Sequence, residues 1–161
     1  MKSLILNQLT LVNYKNFNNQ SFNLDEKINC FVGDNGVGKT NVLDSIYHLA
    51  MTKSCFQSID SQSINHSAEF MLIEGNFKKG NKNENIINSL KKGKKKTIKR
   101  NGKLYKKFSD HIGLIPVVMI SPYDRDLIQE GNINRRKFID NVISQNNKIY
   151  LSQIISYQKI L

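Results

Sequence analysis

Short apolar runs separated by turn-forming residues dominate the first 120 positions of the chain. Residues 4–12 are rich in side chains that favour strands, and residues 21–24 are placed to form a return strand beside them. Residues 28–32 predict a short buried strand. Residues 114–120 have two valines at their centre, and they predict a buried strand of a parallel sheet.

Between these last two runs the pattern predicts an antiparallel meander. Residues 68–77 form a strand that places Met71 and Ile73 together on one face. The Asn101-Gly102 dipeptide is a strong signal for a two-residue hairpin turn. Further short strands are predicted at residues 85–90, 97–100 and 103–105.

Helical spacing of apolar residues predicts the remaining elements. Residues 41–51 form a helix, and residues 108–112 form a shorter one. A third helix is predicted at 131–147 and an amphipathic fourth at 149–161. The apolar side of the third is expected to comprise Phe138, Ile139, Val142 and Ile143. Helices combined with a parallel strand and a meander indicate an α/β fold.

The net charge of +11 is concentrated in one segment. Residues 78–107 contain 13 of the 24 Lys and Arg residues and a single acid, whereas the rest of the chain has 11 basic and 12 acidic residues. A basic segment on a nearly neutral domain indicates a polyanionic partner, most often nucleic acid. Charge alone fits a solvated hairpin edge equally well. The DNA-binding candidates are Lys91, Lys92, Lys94, Lys95, Lys96, Lys99 and Arg100.

The two cysteines and the apolar runs bear on the compartment. Cys30 and Cys55 have no C-x-x-C spacing, which suits a reducing cytosol and argues against a disulfide scaffold or a zinc site. No apolar run is long enough to span a bilayer. We therefore expect a cytoplasmic protein that does not insert into a membrane.

One stretch carries specific chemistry. Residues 33–40 read GDNGVGKT and fit the phosphate-loop pattern G-x-x-x-x-G-K-[ST], between a predicted strand and a predicted helix. The glycines let backbone N–H groups converge on a phosphate, and the helix N-terminus adds partial positive charge. Lys39 is expected to reach the terminal phosphates and Thr40 to ligate Mg²⁺. The predicted nucleotide-binding residues are Gly33, Asp34, Asn35, Gly36, Val37, Gly38, Lys39, Thr40 and Asn41.

Four further residues are candidates with open alternatives. Lys15 lies near two aromatic residues that either flank a nucleotide base or pack the strand pair. Gln129 follows the carboxyl end of a predicted strand, where ligands of α/β sheets bind, but a cap or surface role is the alternative. Arg135 and Arg136 lie where positive charge opposes the helix dipole. Either they hold a phosphate or carboxylate across a domain contact, or the alternative holds, in which Asp140 forms a plain intrahelical pair with Arg136 or Lys137.

Six motifs together resemble the N-terminal part of RecF, a family of bacterial recombination-repair ATPases of the ABC class related to SMC and Rad50 heads. The resemblance extends over essentially the whole chain. It departs from the usual family pattern at Val37, where glutamine is usual, and at residues 132–133, where Ser-Pro is usual. The motifs are LVNYKNF at 11–17, GDNGVGKTNVL at 33–43, LAMTKS at 49–54, ISPYD at 120–124, GNINRRKFID at 131–140 and YQKIL at 157–161.

The resemblance implies an architecture. It implies a P-loop, ABC-ATPase-like head with a parallel core sheet and an antiparallel β subdomain. Residues 1–147 are expected to be the N-terminal part of the head, including a basic β insertion at about 68–107. Residues 148–161 are expected to begin a helical arm. The signature and Walker B motifs would lie beyond Leu161, which leaves the fold incomplete.

The resemblance also implies an activity. It implies an ATP-dependent homodimer that holds ATP and Mg²⁺ between two heads and binds single-stranded, linear double-stranded or junction DNA. Roles in recombinational repair, replication restart and SOS induction follow, together with other recombination mediators as partners. Weak ATPase activity is expected of the full-length family and none of this chain alone.

Two other functions compete with this one. A non-catalytic nucleic-acid-binding adaptor with a relic P-loop would retain the basic segment without nucleotide turnover. A small-molecule kinase or GTPase is disfavoured, because the chain lacks an Asn-Lys-x-Asp run that specifies guanine and opens with antiparallel strands.

Overall fold

Six antiparallel strands form the sheet on which the other elements are built. The computed structural model describes residues 4–125 and 132–160. The sheet has the spatial order β2-β1-β3-β4-β5-β6, and every neighbouring pair is antiparallel. The strands are β1 (Leu4–Tyr14), β2 (Phe17–Asn23), β3 (Phe70–Lys79), β4 (Lys82–Lys91), β5 (Thr97–Arg100) and β6 (Lys103–Leu104).

Within the described residues, three α-helices accompany the sheet. They are α1 (Lys39–Met51), α2 (Asn132–Asn146) and α3 (Lys148–Gln158). Short 3-10 turns lie at Asp60–Ser63, Phe108–Asp110 and Pro122–Arg125. All three predicted long helices are confirmed, and the short helix predicted at 108–112 is a 3-10 turn. None of the helices in the described part of the chain is long and apolar enough to cross a membrane.

The core lies between one face of the sheet and α1. Alternation along β3 buries Met71 and Ile73, as predicted, and α1 contributes Val42, Leu49 and Ala50 to the same core. Gly75 of β3 allows the close approach of the helix, because a Cβ there would lie 2.8 Å from Cδ1 of Leu49. This packing fixes α1, and with it the glycine-rich loop that precedes α1, against the sheet.

The predicted meander is confirmed, with β3 shifted by two residues and β4 longer than expected. Strand β5 coincides with the predicted range, and the hairpin between β5 and β6 turns at Asn101 and Gly102, whose φ angles are 50° and 76°.

Strand β2 begins earlier than predicted, because Phe17 already pairs with Tyr14. Only two residues therefore connect β1 and β2.

Two predicted strands are absent from the described residues. Segments 28–32 and 114–120 have no sheet pairing, although most residues of 114–120 are β-branched or aliphatic. Val32 is 84% exposed and Ile120 is 81% exposed, whereas Ile115 is buried. These two predictions were wrong because a strand needs a neighbour to bond its backbone, and no described strand lies beside either segment.

The segment that leads into the glycine-rich loop is nevertheless held in place. Phe22 of β2 packs edge-to-face on Phe17 and on Phe31, with ring centroids 5.9 Å apart in each pair. The aromatic contacts attach residue 31 to the first hairpin, so the chain enters the loop from a defined position.

Candidate nucleotide-binding site

The glycine-rich loop predicted from the sequence turns sharply before α1 begins. Gly33, Gly36 and Gly38 have φ angles of 148°, 87° and 108°, a region that residues with side chains rarely adopt. A Cβ at Gly36 would meet nothing within 4 Å, so the loop opens onto space at that point. Lys39 Nζ donates to the carbonyls of Gly33 and Asp34, each at 2.7 Å, which holds its side chain across the loop.

Helix α1 starts directly at the end of this loop without a side-chain cap. Gly38 occupies the N-cap position, and the N–H of Val42 donates to its carbonyl at 3.0 Å. The N–H groups of the first turn and the helix dipole together give this end partial positive charge. The Thr40 side chain is exposed here. Backbone donors, one ammonium and one hydroxyl are the groups that a phosphate chain with Mg²⁺ requires, so the residues present fit that ligand.

Asn16, in the turn between β1 and β2, contacts both the loop and the helix. Its Nδ2 donates to the carbonyl of Val37 at 3.0 Å, and its Oδ1 accepts from Nδ2 of Asn41 at 2.8 Å. The packing is close, since a Cβ at Gly38 would lie 2.7 Å from Asn16 Nδ2 and from a ring carbon of Phe17. Sequence reasoning missed Asn16, because its partner lies 21 positions away along the chain.

Asp44 of α1 is fully buried and accepts four hydrogen bonds. The donors are the Tyr14 hydroxyl at 2.9 Å, Lys15 Nζ at 2.6 Å, the Ser54 hydroxyl at 2.6 Å and the Cys55 N–H at 2.7 Å. Burial disfavours the charged carboxylate, but the bonds from Lys15, Ser54 and Cys55 outweigh burial, so the pKa of Asp44 is lowered.

Lys15 belongs to this buried network. Its side chain is 10% exposed, and its ammonium lies 5.6 Å from the ring centroid of Tyr14 and 5.8 Å from that of Phe56. Tyr14 itself is fully buried. Of the two roles open from the sequence, the structure favours packing of the strand pair over contact with a nucleotide base.

Lys96 differs from its basic neighbours because its ammonium is withdrawn from the surface. Its Nζ donates to Oδ2 of Asp60 at 2.6 Å and to the carbonyl of Thr52, the residue that follows α1. It also lies 5.5 Å from the ring centroid of Phe108, and the side chain is 10% exposed. An ammonium paired in this way is not available to a DNA phosphate, which removes Lys96 from the DNA-binding candidates.

Arg100 also forms an internal pair. Its Nε and Nη2 donate to the two carboxylate oxygens of Glu84 at 2.8 and 2.7 Å. These hydrogen bonds lower the pKa of Glu84 to about 2. Most of the positive charge of Arg100 is therefore balanced within the sheet. The candidates that stay exposed are Lys91, Lys92, Lys94, Lys95 and Lys99, of which Lys92 makes an exposed ion pair with Glu69 at 3.3 Å.

The remaining candidates lie near the start of α2 or outside the described residues. Arg135 and Arg136 are exposed on α2. Asp140 accepts a 2.6 Å hydrogen bond from the Tyr150 hydroxyl of α3 and, among the described residues, forms no ion pair with Arg136. Gln129 lies outside the described residues, so its predicted role stays a prediction.

His48 lies on the buried face of α1. It is fully buried, and neither ring nitrogen has a hydrogen-bond partner within the described part of the chain. Burial, reinforced by the positive charge of Lys96, lowers the pKa of His48 to about 4. The ring is therefore packed and neutral near pH 7 rather than catalytic.

A cavity of about 770 Å³ lies away from the glycine-rich loop. It is bounded by residues 53–58, the segment 117–124 and α2, and none of residues 33–41 lines it. The phosphate site is instead an open surface feature, formed by the loop and the first turn of α1.

Comparison with known proteins gives the class to which the chain belongs. The AAA-domain family matches residues 8–160. The chain therefore belongs to the AAA-domain family, in agreement with the geometry of its glycine-rich loop and α1.

Within that class the chain is similar to RecF. It is 60% identical to the DNA replication and repair protein RecF of Flavobacterium johnsoniae, over 97% of this chain and 44% of that protein. It superposes on a solved structure of the recombination mediator protein RecF with ATP, in the RecFOR pathway, with a TM-score of 0.91 at 30% identity, over 98% of this chain and 43% of that one. The chain thus spans less than half the length of these RecF proteins.

A more distant match concerns the fold alone. A chain from a study of ATP-driven dimerisation and DNA-stimulated activation of SMC ATPases matches with a TM-score of 0.68 at 17% identity, over 86% of this chain and 99% of that one. The predicted resemblance to RecF and the predicted fold class are confirmed by these comparisons.

Proposed function

We propose that this chain is the N-terminal part of a RecF-like ATPase head that binds DNA in an ATP-dependent manner. The complete protein acts in the cytoplasm in recombinational repair, replication restart and SOS induction. Residues up to 147 form part of the head, and residues 148–161 begin a helical arm. The head pairs with a second copy around ATP and Mg²⁺ and works with other recombination mediators.

The observation that carries this proposal is the glycine-rich loop joined to the uncapped start of α1. Lys39 provides the only cation among residues 33–41, and the loop opens on the side where Gly36 has nothing within 4 Å. Lys39 binds the terminal phosphates, the N–H groups of the loop bind the phosphate oxygens, and Thr40 ligates Mg²⁺. ATP bound at this loop is the ligand around which the two heads pair.

The nucleotide site is tested by substituting Lys39 with alanine. Lys39→Ala is expected to weaken binding of a fluorescent ATP analogue by at least about tenfold, because charge-assisted hydrogen bonds to phosphate are lost. The measurement is a fluorescence titration with and without Mg²⁺. Lys53→Ala, which removes an exposed lysine just beyond α1, is the matched control and should leave affinity unchanged.

Two outcomes would contradict the assignment. Equal affinities of the wild-type chain and Lys39→Ala would exclude the loop as the nucleotide site and favour the adaptor with a relic P-loop. Stronger competition by GTP than by ATP would favour a GTPase instead.

DNA binding is proposed for the exposed lysines of the meander. After Lys96 and Arg100 are set aside, the remaining exposed candidates include Lys91, Lys94 and Lys95, which lie at the end of β4 and in the connection to β5. Lysines in such a position bind backbone phosphates and position DNA without specifying its sequence. Single-stranded, linear double-stranded and junction DNA therefore all remain proposed ligands.

A further inference from the structure

We propose that Asn16 is a positioning residue that holds the phosphate loop in the conformation that binds nucleotide. The inference rests on the proposed nucleotide-binding function. It gives the turn between β1 and β2, which lies outside the phosphate-loop pattern, a role in shaping the nucleotide site.

The argument begins with the peptide unit between Val37 and Gly38. A trans peptide is planar, and its C=O and N–H point in opposite directions. The Asn16 amide donates to the Val37 carbonyl at 3.0 Å, which draws this carbonyl toward the β1–β2 turn. The N–H of Gly38 belongs to the same peptide unit, so it is turned away from Asn16 and becomes a donor for a ligand on the other side.

The second contact of Asn16 fixes the loop relative to α1. Its Oδ1 accepts from Nδ2 of Asn41, in the first turn of the helix, at 2.8 Å. One side chain therefore links the last bend of the loop to the helix that follows it. Because glycines otherwise leave the loop many backbone conformations, such a link reduces the conformational entropy that nucleotide binding must remove.

The packing at Gly38 supports the same role. A Cβ at this position would lie 2.7 Å from the amide nitrogen of Asn16 and 2.7 Å from the Phe17 ring. The turn thus touches the loop directly at Gly38. Lys15, the other residue of the turn, points instead into the buried pair with Asp44.

The test compares three variants of this chain in the same fluorescence titration. Asn16→Ala removes both contacts and should weaken binding of the ATP analogue about tenfold, as expected for the loss of two hydrogen bonds. Asn16→Asp keeps an acceptor for Asn41 but has no donor for the Val37 carbonyl, so it should weaken binding at least as much. Asn18→Ala is the matched control and should bind as wild type does, because the Asn18 side chain accepts a hydrogen bond from Asn65 rather than from the loop.

A second readout separates positioning from folding. The midpoint of thermal unfolding should be nearly the same for Asn16→Ala and Asn18→Ala, because both side chains are at the surface. Wild-type affinity in Asn16→Ala, or a loss of affinity matched by a loss of fold, would overturn the inference. If the wild-type chain and Lys39→Ala both fail to bind, the proposed function itself falls, and this result is distinguishable from the failure of Asn16 alone.

Discussion

At the scale of single residues, two lysine–aspartate pairs, each with a largely buried lysine, determine what the nearby charges can do. Lys15–Asp44 and Lys96–Asp60 both have N–O distances of 2.6 Å, and each lysine is 10% exposed. In the first pair, Asp44 also accepts a hydrogen bond from the Ser54 hydroxyl. In the second pair, Lys96 also donates to the carbonyl of Thr52, the residue that follows α1. Together they fix both ends of the segment between α1 and Ser63, so two lysines of a basic protein have structural roles.

Lys96→Met is expected to destabilise the chain by about 1–3 kcal/mol. Breaking a fully buried pair costs more, about 3–5 kcal/mol, but Asp60 is 36% exposed and water screens its remaining charge. Urea unfolding followed by circular dichroism measures the change. Lys94→Met is the control in the same segment and should lie within about 0.5 kcal/mol of wild type. Equal effects of the two variants would show that the pair with Asp60 does not stabilise the fold.

The difference between predicted and missed site residues lies in how local their contacts are. The phosphate loop is predictable because all of its determining positions lie within eight consecutive residues, 33–40. The partners of Lys96, by contrast, are 36 and 44 positions away. No sequence pattern distinguishes Lys96 from Lys95, since only the folded sheet places one ammonium beside Asp60 and leaves the other exposed.

At the scale of secondary structure elements, the meander separates lysines that support the fold from lysines that face solvent. Lys94 and Lys95 lie in the connection between β4 and β5, where their side chains are exposed. Arg100 on β5 is instead held by Glu84 of β4. The part of the basic segment that is available to an anion is therefore narrower than its charge suggests.

The double variant Lys94→Gln/Lys95→Gln is expected to weaken binding to duplex DNA. If each lysine contacts one phosphate, the slope of log affinity against log salt should fall by about two, because two fewer counterions are released. The measurement is a fluorescence anisotropy titration at several salt concentrations.

A matched control removes the same charge elsewhere. Lys27→Gln/Lys159→Gln changes two exposed lysines outside the meander and should leave the salt slope unchanged. Identical slopes for both double variants would assign the effect to net charge and remove the meander from the DNA site.

The same contrast between local and non-local determinants explains which elements were predicted. Strand β5 and the turn at Asn101 and Gly102 follow from alternation and turn chemistry within a few residues. Segments 28–32 and 114–120 have comparable apolar patterns but lack pairing partners among the described residues. Composition predicts the capacity to form a strand, whereas pairing depends on what lies beside the segment.

At the scale of the whole molecule, buried ionisable groups link stability to pH. His48 has a folded pKa of about 4, below its ordinary value of 6.5, and faces Lys96, Asp60, Asp44 and Lys15. Between these two pH values the unfolded chain binds a proton that the folded chain does not. Stability therefore falls as the pH is lowered through this interval. The lowered pKa of Asp44 acts in the same direction at lower pH.

His48→Leu is expected to flatten the decrease in stability between pH 6.5 and pH 4. The histidine contributes up to about 3 kcal/mol to this decrease, and leucine has no proton to bind and no ring nitrogens without partners. Urea unfolding at pH 7 and pH 5 measures the effect. His66→Leu, at an exposed histidine, is the control and should keep the wild-type pH dependence. If stability falls with pH as steeply in His48→Leu as in wild type, His48 is not the source of the decrease. His111 and the carboxylates would then have to account for it.

Segments 28–32 and 114–120, which have no sheet pairing, affect how a dimer of this chain in solution is interpreted. Exposed apolar side chains in these segments, such as Val32 and Ile120, favour association between molecules. Such association would grow with protein concentration and would not require a nucleotide. A dimer of this chain therefore counts as head pairing only when its formation depends on ATP and is lost in Lys39→Ala.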